Sequence, residues 1–173
     1  MERVTTYVIR RETSADYEAI RHVNCVAFGQ DAEARLIDLL RDGGYIRLSL
    51  VAEQTGRVIG HILFSEMSII TEEGTVPALA LAPMAVLPEY QNQGVGSVLV
   101  RRGLDECREG GHRIVMVVGH PRFYPRFGFS PELARRLESP YTGEAFMALE
   151  LVAGALHDVT GRVVYPPPFA SVG

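Results

Sequence analysis

The residues whose types and spacing suit chemistry best lie between Ala82 and Ser97. There an apolar segment runs through Pro88 into the loop Gln91-Asn92-Gln93-Gly94-Val95-Gly96-Ser97. A helix is predicted to open inside that loop. A helix start leaves backbone N–H groups without intrahelical partners, and the macrodipole adds partial positive charge there. Gly94 and Gly96 remove side chains that would keep an anion from those donors. The pattern predicts a cradle for a phosphate or pyrophosphate. Two common phosphate loops do not fit it. The dinucleotide fingerprint wants a third glycine where this chain has Leu99, and the nucleoside-triphosphate loop wants lysine followed by Ser or Thr where it has Ser97 and Val98.

A second segment of interest is Phe123-Tyr124-Pro125-Arg126-Phe127-Gly128-Phe129, an aromatic cluster around one phenol. Read alone, it serves a core as well as a site. Read with the loop, the two resemble the GNAT acyltransferase superfamily. Its coenzyme A loop, Arg/Gln-x-x-Gly-x-Gly/Ala after a strand ending in Val-x-Pro, is matched by Val86-Leu87-Pro88 and Gln91 to Gly96. Its Tyr-x-x-x-Gly-Phe segment is matched by Tyr124, Gly128 and Phe129, with Pro125 departing from the commonest helical version. The resemblance covers residues 6–151. It agrees best with a little-characterised bacterial branch, through Leu81-Ala82-Pro83-x-Ala85-Val86 and Gly119-His120-Pro121-x-Phe123-Tyr124.

The resemblance implies an α/β fold. It is a single GNAT-type domain with a central mixed, mostly antiparallel sheet, splayed between the fourth and fifth strands and flanked by helices. The core would span residues 6–151 and a C-terminal extension residues 152–173. It implies an acetyl-CoA-dependent N-acetyltransferase that moves an acetyl group to a primary amine by direct attack in a ternary complex. No metal is implied. Met84, Ala85, Val86, Gln91, Asn92, Gln93, Gly94, Val95, Gly96 and Ser97 would hold the cofactor, and Tyr124 would be catalytic. The alternatives are an acyl-CoA-binding sensor without turnover and a plain α/β domain with an anion site.

Acyl transfer from a thioester needs an anchored cofactor, a polarised carbonyl, a neutral amine and protonation of the departing thiolate. Main-chain donors near Ala85 and Val86 would polarise the carbonyl. Tyr124, a phenol with an ordinary pKa of about 10, would protonate a thiolate whose acid has a pKa of about 8.5. The general base stays open between His120, Glu89 and a water relay; His61 and Glu66 fall on opposite faces of their strand. The acceptor site is expected between the first two helices and the strand at 58–70, with Phe28, Glu33 and Arg35 as lining. No cysteine lies in either motif, which disfavours an acyl-enzyme through Cys25 or Cys107.

The elements that must position these groups follow from periodicity. A strand at 7–10 precedes capping residues Thr13 to Asp16 and a helix with Tyr17, Ile20, Val23 and Ala27 inward. A second helix from Asp31 buries Leu36, Ile37, Leu39 and Leu40, and Gly43-Gly44 ends it. Strands follow at 48–53, 58–70 and 78–86, the last bulged at Pro83. The helix at 95–109 turns Val98, Leu99, Leu104 and Cys107 inward and leads by a parallel crossover to a strand at 113–118. A short helix at 122–126, a hairpin containing 146–151 and an irregular, solvent-facing tail at Pro166-Pro167-Pro168 complete the chain.

At 173 residues, 47% hydrophobic and 22% charged, the sequence suits one soluble domain. A net charge of −4 without a basic run argues against nucleic acid as a partner. No segment reads as a signal peptide or a membrane span, so the cytoplasm is the expected location. The partner is expected to be a small-molecule or peptide amine; a homodimer is left open.

Overall fold

β-Branched and aliphatic residues build the long strands at the centre of the sheet. In the computed structural model, which describes residues 6–140 and 145–171, the strands are β1 (Val8–Arg11), β2 (Ile46–Gln54), β3 (Arg57–Thr71), β4 (Gly74–Val86), β5 (Ile114–Val118), β6 (Leu137–Glu138), β7 (Phe146–Glu150) and β8 (Gly161–Val164). They form one sheet ordered β1-β2-β3-β4-β5-β7, with β8 on the far end of β3 and β6 beside β8. Among the described strands only β4–β5 and β6–β8 are parallel. The helices are α1 (Tyr17–Phe28), α2 (Ala32–Asp42), α3 (Val95–Glu109) and the short α4 (Pro168–Ser171). A β-carbon on Gly60 would touch Leu99 and Val95 of α3, whereas its neighbour His61 reaches Asn24 of α1. Adjacent strand residues face opposite ways, so α1 and α3 cover opposite faces.

The sheet splays where the sequence reading expects it. β4 and β5 pair only through Leu79 with Val115 and Ala80 with Met116. Beyond that point β4 continues to Val86 with β3 on one side and no partner on the other. The register shift opposite Ile62 and Phe64 puts two residues, Ala82 and Pro83, against Leu63. This is the bulge expected at Pro83.

Several sequence expectations are corrected. Tyr17, Leu39 and Val98 are exposed, because each helix buries a narrower stripe than its run of apolar residues suggests. Arg41 stacks over the Tyr17 ring at 3.8 Å. The expected hairpin is instead β7 paired along β5, with one bridge from Ser130 to Ala148 on its other side. The short helix is a 3₁₀ turn, Tyr124–Phe127. Pro166 and Pro168 are buried rather than solvent-facing, and β8 joins the sheet. No described helix is long and apolar enough to cross a membrane.

A chain of polar groups is buried under α1 and α2. Asn24 Nδ2 donates to Ile20 O at 2.9 Å and lies 3.2 Å from His61 Nδ1. An amide nitrogen can only donate, so Nδ1 accepts and the neutral ring carries its proton on Nε2. Nε2 then donates to Ser49 Oγ at 3.0 Å, Ser49 donates to Glu12, and Arg41 holds Glu12 at 2.8 Å. Burial, reinforced by the charge of Arg41, pushes His61 down to about 3. Unfolded, the imidazole protonates below its ordinary 6.5 while the folded ring stays neutral. Stability is therefore full above pH 6.5 and falls as pH drops, by about 1.4 kcal/mol per unit from His61 alone. The Arg10 guanidinium beside Asp16 holds that carboxyl at about 2, so its contribution is lost only below its ordinary 3.8. Urea unfolding between pH 6.5 and about 4.5 thus isolates the histidine. His61→Gln is expected to be less stable at neutral pH and to show a distinctly flatter decline; a parallel decline would contradict the assignment.

Candidate active site

The splay opens into a cavity of about 900 Å³. Its walls are the unpaired edge of β4 from Leu81 to Val86, the loop and first turn of α3, the segment after β5, and the facing parts of α1 and α2. At one end stands the α3 start. Gly94 is the N-cap, no side chain caps it, and no acidic residue lies in the first turn. The N–H groups of Val95, Gly96 and Ser97 precede the first helical bond, made by Val98 to Gly94 O at 3.0 Å. They are free to meet an anion. A β-carbon on Gly96 would sit 3.3 Å from Met84 Cε and 3.8 Å from Phe123 Cζ, so glycine keeps the channel between them open.

The loop is tied to the strand it follows. Gln91 Nε2 donates to Val86 O at 2.9 Å, which closes the turn and fixes its distance from β4. The amide of Leu87 donates to Ile59 O of β3 at 2.9 Å. Strand amides alternate in direction, so Ala85 also faces β3, whereas the amides of Met84 and Val86 face the splay. Of the two amides expected to face the gap, that of Val86 does, as does that of Met84, whereas that of Ala85 does not.

Tyr124 lines the cavity. Its ring packs edge-on against Phe123 at 4.9 Å and Phe129 at 5.6 Å. Gly119 lies so close that a β-carbon there would come within 2.3 Å of the ring. The phenol is therefore held on several sides. Its hydroxyl makes no hydrogen bond among the described residues, although a buried tyrosine hydroxyl ordinarily finds a partner. Burial pushes its pKa up to about 12. It is a proton holder and donor across the physiological range.

Met84, Ala85, Val86, Gln91, Asn92, Gly94, Gly96, Ser97 and Tyr124 all line this cavity. The side chains of Gln93 and Val95 do not: Gln93 bonds back to Glu89 O at 2.9 Å, and Val95 is buried in the core. His120, Phe28 and Glu33 line it, but Glu89 is turned out toward Arg57 at 4.0 Å and Arg35 pairs with Asp31 at 3.3 Å. The strand predicted to wall the acceptor side, β3, contributes nothing; β4 and the end of β5 take its place. Neither cysteine reaches the cavity, and burial raises the Cys107 thiol to about 12. Among the described residues no cluster suits a metal ion.

Sequence reasoning missed Arg126. Its guanidinium lies over the Phe123 ring at 4.7 Å and within 3.4 Å of Ser97 Oγ, beside the α3 start. The signal was its place between Tyr124 and Gly128 in the second motif.

Comparison with known proteins agrees with this geometry. The acetyltransferase (GNAT) domain family matches residues 8–131. The chain is 38% identical over 167 residues to the uncharacterized N-acetyltransferase YhbS of Escherichia coli K12, covering 94% of this chain and 98% of that protein. It is 42% identical over 119 residues to the uncharacterized N-acetyltransferase YjhQ of the same organism, covering 68% and 66% of the two chains. The crystal structure of Escherichia coli YhbS in complex with CoA superposes with a TM-score of 0.90 at 34% identity, over 100% of this chain and 97% of that one. A GNAT family acetyltransferase from Brucella melitensis in complex with acetyl-CoA gives 0.80 at 32% identity, over 96% and 99%. With the splayed sheet, the uncapped helix start and both motifs in one cavity, the chain belongs to the GNAT acetyltransferase family.

Proposed function

We propose that the protein binds acetyl-CoA in this cavity and transfers the acetyl group directly to a primary amine, in the cytoplasm. The observation that carries the reading is the shared cavity of α3 start, splayed β4 edge and unpartnered Tyr124 hydroxyl. The coenzyme phosphates meet the N–H groups of residues 94–97, with Arg126 adding a positive charge. The pantetheine arm runs along β4 between Met84 and Val86, where the free amides replace the missing strand. The main-chain N–H of Val86 donates to the thioester oxygen as negative charge develops on it.

The amine nitrogen attacks the carbonyl carbon, and the C–S bond breaks as the amide forms. Nitrogen gives up one proton in becoming an amide, and sulfur gains one in becoming a thiol. With its pKa near 12, Tyr124 does not readily surrender its proton outright to a thiolate whose acid has a pKa of about 8.5. It donates a hydrogen bond to the sulfur as charge builds there, and passes a proton only as it receives one. His120 lines the same cavity and would take the amine proton toward solvent, directly or through water. The absence of either cysteine from the cavity lining favours direct attack over an acyl-enzyme. Initial rates measured while both substrates are varied test this. Intersecting double-reciprocal lines are expected; parallel lines, with an acetylated protein trapped in the absence of amine, would overturn direct attack.

A further inference from the structure

The part of the cavity lined by α1 and α2 has a chemistry of its own. Glu33 is the only carboxylate among the lining residues, and Arg126 the only guanidinium. Gln30 Nε2 holds the Glu33 carboxylate at 3.2 Å and 3.3 Å, but no cation pairs with it among the described residues. The nearest candidate in sequence, Arg35, is taken by Asp31. Ala27, Phe28, Leu36, Leu81, Pro83 and Val118 give the same cavity an apolar wall. Two of these are left open, Phe28 at 42% and Val118 at 44% exposure, and both face the cavity. Large apolar side chains open together at the wall of one cavity mark an apolar ligand.

Resting on the acetyl-transfer reading, we infer that the acceptor is a primary amine carried on an apolar body, an alkyl- or arylalkylamine. Glu33 supplies the negative potential that draws the ammonium into this part of the cavity and disfavours amines that carry a carboxylate. Phe28, Leu36, Leu81 and Val118 cover the hydrocarbon. The amine sheds a proton to water before its nitrogen attacks, so Glu33 selects the acceptor without serving as the base. Sugar amines and polyamines, whose polar groups would face these walls without partners, are excluded on the same ground.

The test uses the whole chain with saturating acetyl-CoA and compares 2-phenylethylamine and hexylamine with ethanolamine and spermidine by thiol release. Covering the hydrocarbon should raise kcat/KM for the two apolar amines about tenfold to hundredfold over ethanolamine. Phe28→Ala should shrink that ratio about tenfold, and Glu33→Gln should raise KM for every cationic amine while acetyl-CoA affinity stays unchanged. Arg35→Ala, outside the cavity, should leave the ratio as it is. Preference for ethanolamine or spermidine, or an unaltered ratio in Phe28→Ala, would overturn the inference. Calorimetric titration of the same amines into the protein saturated with CoA reads the preference without turnover. Apolar-amine binding with no thiol release would keep the acceptor class and sink acetyl transfer; turnover of polar amines alone would do the reverse.

Discussion

Tyr124→Phe is expected to lower kcat by about 10²–10⁴-fold while changing acetyl-CoA affinity little. The magnitude follows from removing the side-chain donor that the proposed mechanism sets beside the departing sulfur. The selectivity of the effect follows from the packing. Phenylalanine keeps the edge-on contacts to Phe123 and Phe129 and the close approach to Gly119. The hydroxyl it removes has no hydrogen-bond partner among the described residues, so the melting temperature should not move. Because the phenol stays protonated up to about pH 12, it should contribute no limb to the pH–rate profile below pH 10. Single-turnover and steady-state thiol release check both points. An unchanged rate would reduce Tyr124 to a packing residue and leave water to protonate the thiolate.

Gly96→Val is expected to weaken acetyl-CoA binding at least about a hundredfold, roughly 3 kcal/mol. The new β-carbon already meets Met84 at 3.3 Å, and the valine branches would project into the space between Met84 and Phe123, where the proposed binding mode brings the pyrophosphate. The fold should survive. Gly96 has no left-handed backbone requirement, and valine in the first turn of α3 is no worse a helix former than glycine. Calorimetry with CoA, alongside a thermal melt, separates the two effects. Normal binding by a folded variant would remove the phosphate role from the loop.

The open start of α3 was legible because its signal is local. Gln91, Gly94 and Gly96 lie within six residues, and with the Val86-Leu87-Pro88 flank and the second motif they point to a helix start open to an anion. Tyr124 was legible through a second local motif. The cavity wall given by α1, α2 and the strand ends was not, because it is assembled from positions whose direction depends on helix phase and strand register. Glu33 and Arg35 sit two apart on α2 and so point to different sides; sequence reading took both as lining, and only Glu33 reaches the cavity. The buried chain through Glu12, Asn24, Arg41, Ser49 and His61 draws on residues scattered over the first third of the sequence, which no spacing rule connects. β8 escaped notice because four residues after an irregular stretch carry too little periodicity, and it is the pairing with β3 that makes them a strand. That the amides of Met84 and Val86 face the splay also depends on the register set by Leu87 and Ile59.

The central claim is transfer of an acetyl group from acetyl-CoA to an amine. It is tested most directly by incubating the protein with acetyl-CoA carrying a labelled acetyl group and 2-phenylethylamine, then weighing the products by mass spectrometry. The account predicts one labelled acetyl group on the amine for each thiol released, and about a hundredfold less product or lower still when Tyr124→Phe replaces the wild type over the same minutes. Acetyl-CoA bound tightly but recovered intact, with the whole amine panel unmodified, would contradict it and leave a coenzyme-binding protein without turnover.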